Sequence, residues 1–390
     1  MDFSDSKVAL DADIADRLVD YIRTDTTDQA DGVLDVPIAH YVSPERAAAE
    51  LALLKKMPLI VAHISELKEP GDFLTREVLG LSLLLVRKAD GSVAAYHNMC
   101  RHRGGRVEQR ETGRKPVFMC RYHGWSYRAE DGALHNIPYE ATHGDIDYAC
   151  NGLHRFRADV RHGLIHVRLT DGDDSSIEDY LGPDVDAQLA PWSLEDTIIY
   201  LDKVFTLKVN WKLVMDGAID SLHPQFLHPK PGGVGSRVVT NVAVFKEYGR
   251  HGKLFQPRSK LRALVKSGDP IPSSTRYISS LLLLYPNALA IGAPDHTEFW
   301  TVWPSLTDPS ECTIRIRFFV KPDLLTPEME ARVNKSWDVL REAATEEDWP
   351  MEVWIQENAQ ARPEGSFRYG RNEKSAQHLH RQLARDLDPA

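Results

Sequence analysis

The feature that most restricts this chain is a pair of short motifs, Cys100-Arg101-His102 and Cys120-Arg121-Tyr122-His123, with 17 residues between them. Each motif follows a strand-like run and sits at a turn, so two loops can close over one metal centre from opposite sides. Thiolate and imidazole are both good ligands for iron and zinc. His accounts for 16 of 390 residues, so the chance that both Cys carry a His at the required offset is roughly 0.2%, before other metal spacings are allowed. Buried, inert cysteine is therefore the weaker reading. An iron–sulfur centre and a structural zinc with two Cys and two His both remain. Gly104-Gly105 and Gly124 keep the loops slim, so that backbone N–H groups can approach a cluster.

Composition limits what surrounds such a centre. A chain of 390 residues, 42% of them hydrophobic, allows two or three domains with sizeable cores. The formal charge of −10 argues against nucleic-acid binding, which needs a Lys/Arg surplus. No apolar run approaches the roughly 18 residues of a membrane span. The opening MDFSDSKVAL is acidic and lacks the apolar stretch of a secretory signal. Four Cys make no disulfide scaffold, and their scarcity points to the reducing cytoplasm. Cys150 and Cys312 have no metal-like partner in sequence and read as small buried residues.

Residues 1–55 read as polar and helical, with Ser43-Pro44-Glu45 as a helix start. Residues 56–170 read as short strands and turns. Leu83–Arg87 and Val93–Tyr96 flank the hairpin signal Ala89-Asp90-Gly91. Asp171–Ser176 is a polar break. In residues 171–390, Ile198–Val209 reads as a strand and Asn210–Leu227 as one helix. Thr313–Phe318 alternates, with Ile314, Ile316 and Phe318 on one face and Arg315 and Arg317 on the other. Thr326-Pro327-Glu328 opens a C-terminal helix. The fold class is α+β: an all-β module, then a domain with an antiparallel sheet.

A second cluster follows in NWKLVMDGAIDSLHPQFLHP. On a helix Asp220 and His223 share a face, and His228 lies five residues on. Two imidazoles and a carboxylate on one side of an ion leave three positions open, the facial triad of non-haem Fe(II) oxygenases. Alone, a His pair at this spacing is a weak signal.

The pattern CRHRGG followed by CRYHGW resembles the Rieske [2Fe–2S] motif. The later segment resembles the mononuclear iron motif of Rieske non-haem iron aromatic ring-hydroxylating oxygenase α subunits, the terminal oxygenases. The likeness spans about residues 40–380. It implies a Rieske domain over 56–170, a helix-grip catalytic domain over 171–390, and residues 1–55 packing on the latter. It implies that Cys100 and Cys120 hold one iron of a [2Fe–2S] cluster and His102 and His123 the other, a set that raises the reduction potential. Trp125 fits the aromatic cover expected beside them. His223 and His228 become ligands of a mononuclear Fe(II), and Asp220 a carboxylate bridging the two metal sites between neighbouring subunits. Asp216-Gly217 stands where Glu-Asn is common, and Leu222 where Tyr or Phe is common. The third ligand is expected near the C-terminus. Asp348, eight residues before Gln356, fits the family's spacing; Glu347 is the alternative.

The resemblance further implies O2 and a small organic substrate, electrons from a ferredoxin or reductase, and a homotrimer, α3β3 being the family's other arrangement. Apolar lining is expected from Phe205–Val214, His228–Val239 and Leu281–Trp303, with no Lys or Arg marking a carboxylate site, hence an apolar, aromatic substrate. Hydroxylation is the first reading and oxidative N- or O-demethylation the second. An electron-transfer or structural metal protein is the third. The Arg-rich stretch between His102 and Cys120 reads as a docking patch for an acidic electron donor.

Overall fold

The computed structural model describes residues 12–170, 175–269 and 276–388. The acidic opening and residues 171–174 of the expected linker lie outside them. The chain divides into two compact units. One is Leu54–Tyr180; the other joins Met1–Leu53 to Leu181–Ala390.

The smaller unit carries a seven-stranded antiparallel sheet. Its order is Leu59–His63, Leu164–Arg168, Arg155–Arg161, Val93–His97, Leu81–Arg87, Asp72–Val78 and Thr112–Arg114. The predicted hairpin forms, with Gly91 at φ +84° and the Asp90 carboxylate accepting the Ser92 N–H at 2.9 Å. A second sheet of three short strands, Val117–Met119, Ser126–Arg128 and Leu134–Asn136, carries the second Cys–His loop. Phe73, Leu84, Tyr96, Phe118 and Tyr127 form the core, and Cys100 and Cys120 are packed into it. Burying each such aromatic contributes about 1.5–3 kcal/mol.

The larger unit holds another seven-stranded antiparallel sheet. Its order is Ile198–Leu207, Cys312–Val320, Thr297–Pro304, Ala288–Gly292, Ile278–Leu284, His251–Pro257 and Val244–Tyr248. The alternation at 313–318 holds: Ile314, Ile316 and Phe318 are buried, while Arg315 and Arg317 both reach Asp202 on the next strand. Thr326 caps the helix Pro327–Glu342 by accepting the Met329 N–H at 3.2 Å. That helix runs into a π-helical turn, Ala343–Asp348, and then into the helix Trp349–Ala361. The N-terminal strand Leu34–Pro37 pairs with Ser366–Tyr369.

Two expectations need correction. The single helix over Asn210–Leu227 is two, Trp211–Ile219 and Pro224–Leu227, with Asp220 extended between them at ψ 137°. The Asp220 carboxylate accepts the N–H groups of Leu222 and His223 at 2.7 and 3.1 Å. A short acidic side chain that caps the backbone this way competes with helix continuation. Cys150 is exposed, not buried; it lies in a polar turn where its N–H bonds the Asp147 carbonyl at 3.2 Å. Cys312 is buried as expected. No helix among the described residues is long and apolar enough to cross a membrane.

Candidate active site

The two Cys–His loops share one hydrogen-bond plan. The Gly104 N–H reaches the Cys100 carbonyl, and the Gly124 N–H the Cys120 carbonyl, each at 2.9 Å. The Cys100 and Cys120 N–H groups then bond the Gly105 and Trp125 carbonyls, each at 2.8 Å. Gly104 and Gly124 adopt φ +76° and +75°, a region that costs other residues energy. A β-carbon at Gly105 would stand 3.3 Å from the Cys120 sulfur, so glycine gives that sulfur room.

The side chains converge. Both sulfurs are buried, and burial pushes the Cys100 thiol up, against a hydrogen bond from Tyr127. The Tyr127 hydroxyl accepts the Arg101 N–H at 2.9 Å and lies 3.2 Å from the Cys100 sulfur, so its proton is free to point at that sulfur. The rings of His102 and His123 lie 4.6 Å apart, and His102 stacks on Trp125 at 5.1 Å and 7°. His102 Nδ1 is sealed from solvent and meets no hydrogen-bond partner among the described residues. A buried ring nitrogen left open is what a metal ligand requires. Burial lowers the His102 imidazole, helped by His123 and Arg103, which favours the neutral ring that binds metal. Among the described residues, no three of these four groups bring ligand atoms within 4.8 Å of one another. That spacing suits a two-iron cluster with a separate pair of ligands on each iron better than one zinc.

The second constellation does meet that limit. His223, His228 and Asp348 bring one ligand atom each within 4.8 Å of one another. Asp348 Oδ1 lies 3.6 Å from His223 Nε2 and 3.0 Å from His228 Nε2. Each imidazole turns its other nitrogen to a separate carboxylate. His223 Nδ1 meets Asp220 at 2.9 Å, and His228 Nδ1 meets Glu347 at 2.6 Å. Both rings are thereby oriented with Nε2 inward, as outer carboxylates orient metal-binding His. The π-helical turn brings Glu347 and Asp348 to the two nitrogens of His228. Burial would lower His228, but Asp348 and Glu347 outweigh it and raise the ring. Burial would raise Asp220, but His223 and two backbone N–H groups outweigh it and hold the carboxylate low.

A buried polar scaffold fixes this segment. Asn210 caps Trp211–Ile219 by accepting the Lys212 N–H, and its own N–H meets Gln356 at 2.9 Å. Trp211 and Lys212 both reach Glu50, the lysine at 2.7 and 2.8 Å, and Lys212 and Glu50 are almost wholly buried. Asp216 accepts from Tyr369 at 2.5 Å and contacts His380 at 2.9 Å. Gly217 leaves space for Glu352, whose Oε1 would stand 2.5 Å from a β-carbon there. Burial holds Glu352 well above the usual carboxylate range. The Asp216-Gly217 pair thus serves this chain's own packing. Sequence reasoning missed the contacts of Glu50, Tyr369 and His380, because no local spacing joins them to the motif.

A cavity of about 920 Å³ opens beside His223, His228 and Asp348. The expected stretch Phe205–Val214 contributes nothing to it. Leu254, Leu281, Ile291 and Trp300 line it, but so do Arg237, Arg258 and Glu298. The expectation that no Lys or Arg marks the lining therefore fails: Arg237 ends the short helix Val234–Arg237 within an expected stretch, and Arg258 follows the strand His251–Pro257 outside all of them. Burial pushes the Glu298 carboxyl up to about 7, against a 2.6 Å hydrogen bond from the Trp300 indole.

The basic stretch of the smaller unit is largely neutralised. Arg106 pairs with Glu77, Arg114 with Asp72, and Arg110 and Lys115 with Glu108. Arg103 instead sits over the Tyr122 ring and reaches His123 Nε2 at 2.6 Å.

A Cys/His centre on a small β unit and a His–His–Asp site on a sheet-and-helix unit define the class of Rieske-type non-haem iron oxygenases. Residues 57–156 match the Rieske [2Fe-2S] domain and residues 187–388 match the ring hydroxylating alpha subunit (catalytic domain). The chain belongs to the ring-hydroxylating α-subunit family, whose cofactors are a Rieske cluster and a mononuclear iron. It is 28% identical over 203 residues to the glycine betaine monooxygenase oxygenase subunit of Chromohalobacter salexigens, over 52% of this chain and 45% of that one. It is 32% identical over 197 residues to the large oxygenase component of the naphthalene 1,2-dioxygenase system of Ralstonia sp, over 47% and 42%. The matched stretch thus spans under half the length of either relative. Among solved structures, the quaternary ammonium Rieske monooxygenase CntA with L-carnitine shares the fold at a TM-score of 0.74 and 20% identity, over 94% and 98% of the two chains. Naphthalene 1,2-dioxygenase from Rhodococcus sp. with indole gives 0.73 and 18%, over 97% and 98%.

Proposed function

We propose that this chain is the terminal oxygenase of a Rieske system, using O2 and electrons from a ferredoxin or reductase to oxygenate an organic substrate in the cavity. The observation that carries this reading is the convergence of His223 Nε2, His228 Nε2 and Asp348 Oδ1 at the cavity wall. Cys100, His102, Cys120 and His123 would hold the [2Fe–2S] cluster, within residues 56–170. His223, His228 and Asp348 would hold iron, within residues 171–390, with residues 1–55 packed on that domain. When bound, the cluster supplies electrons singly and the mononuclear iron supplies O2 activation.

The protein's own groups do the rest. Asp220 and Glu347 orient the two imidazoles. Asp348 supplies the anionic ligand that two neutral imidazoles lack. Cavity walls hold a substrate carbon near the triad and limit water. Asp220 also bridges to His123 of a neighbouring subunit in a homotrimer or α3β3 assembly, which requires Arg103 to release His123 Nε2. Asp220→Asn should keep both metals and lose most turnover, since an amide is a weaker acceptor; near-normal turnover would remove the bridge.

Hydroxylation is the first reaction assigned. Oxidative N-demethylation is the second reading, favoured by the likeness to glycine betaine monooxygenase and by the charged cavity lining. Hydroxylating an N-methyl carbon gives a hemiaminal, which breaks to the amine and formaldehyde. The reducing cytoplasm is the compartment proposed. A product screen with a surrogate reductase, run on wild type and His223→Ala, tests the reading; full product formation by the variant would overturn the triad.

A further inference from the structure

Arg258 stands at the end of the strand His251–Pro257 and lines the cavity. Its Nε is sealed from solvent and meets no hydrogen-bond partner among the described residues. No carboxylate among them lies within ion-pair distance of it. The one acid acting on it, Asp295, already meets His296 at 3.1 Å and Ser336 at 3.2 Å. Arg237 lines the same cavity and repels Arg258, while its Nε donates to the Gly232 carbonyl at 3.1 Å. Glu298 bonds Trp300 and does not neutralise either arginine. Burial and Arg237 together lower Arg258.

An enclosed cation without a counter-charge is costly, and a second cation beside it adds to the cost. Such an arrangement is maintained where a ligand supplies the missing charge. A guanidinium presents a rigid fork that fits a carboxylate with two parallel hydrogen bonds. We propose that Arg258, backed by Arg237, binds the carboxylate of an organic-acid substrate and turns its apolar part toward the triad. This rests on the oxygenase reading and names its substrate class.

The test compares each acid with its amide, acetate against acetamide and benzoate against benzamide, on the purified holoenzyme by thermal denaturation. At saturating benzoate the larger unit should melt about 5 °C higher, and benzamide should give little or no shift. Arg258→Met should melt no lower than wild type without ligand and should lose the acid-specific shift; Arg258→Lys should keep part of it. Equal shifts with acid and amide, no shift with either acid, or a full acid-specific shift in Arg258→Met would each overturn the proposal. The wild-type comparison stands even if a variant fails to fold. Iron content and turnover of the same preparations separate the two readings. Turnover without acid preference removes only the carboxylate site, whereas absent iron and turnover remove the oxygenase.

Discussion

His228 is held between two adjacent carboxylates, with Nδ1 2.6 Å from Glu347 and Nε2 3.0 Å from Asp348. The two acids therefore have different work. Asp348 shares the inner side with His223 Nε2, and Glu347 fixes the ring from behind. Asp348→Ala should abolish mononuclear iron binding. Glu347→Gln should keep the site but weaken iron affinity about 10–100-fold, as loss of an outer partner typically does. Iron titration of the two variants checks this, and the opposite ranking would exchange their roles.

Glu298 gives a pH signature. Its carboxyl is raised to about 7 in the folded chain, against roughly 4.3 for a free side chain. The folded state then holds a proton that the unfolded chain releases above its lower value. Glu298 thus costs almost no stability at pH 4, and an increasing amount as the pH rises to about 7, up to ~4 kcal/mol. Glu298→Gln should match wild type near pH 4 and melt higher at pH 8. Parallel melting curves over that range would contradict this.

The ion pair of Lys212 with Glu50 is buried on both sides, and Glu50 also holds the Trp211 indole. Glu50→Ala leaves a buried ammonium uncompensated and should cost about 3–5 kcal/mol. Replacing both residues with leucine and methionine should cost much less. Denaturant titration of both variants distinguishes these outcomes.

Docking of an electron donor should depend on cations outside the local ion pairs. Arg101 and Arg121 are exposed, whereas Arg114 is bound to Asp72 at 2.8 Å. Charge reversal at Arg121 should slow reduction of the cluster more than reversal at Arg114, and the difference should shrink with added salt. Stopped-flow reduction at two ionic strengths measures it; equal rates would leave the basic stretch without a docking role.

Much of this was legible in the sequence wherever chemistry is local. Cys100 with His102 and Cys120 with His123 are short-range patterns, and the 313–318 strand declares its faces by alternation. Asp220 and His223 meet as the spacing predicts, but through a capping turn and not a shared helix face, since the helix ends at Ile219. Glu50, Tyr369 and His380 reach their partners over 153 to 164 residues, and such contacts leave no spacing to read. The cavity misled for a different reason. Leu281 and Trp300 show as apolar runs, but Arg258 is a single residue at a strand end, and only the fold turns it inward.

Two separate metal centres on one chain fix a metal stoichiometry that a single analysis reads. Purified wild type should contain about three iron atoms and two acid-labile sulfides per chain. His223→Ala should retain about two iron atoms, both sulfides and the cluster's visible absorption, while losing product formation. Zinc without sulfide in the wild type, or loss of the cluster in His223→Ala, would rule out two independent centres.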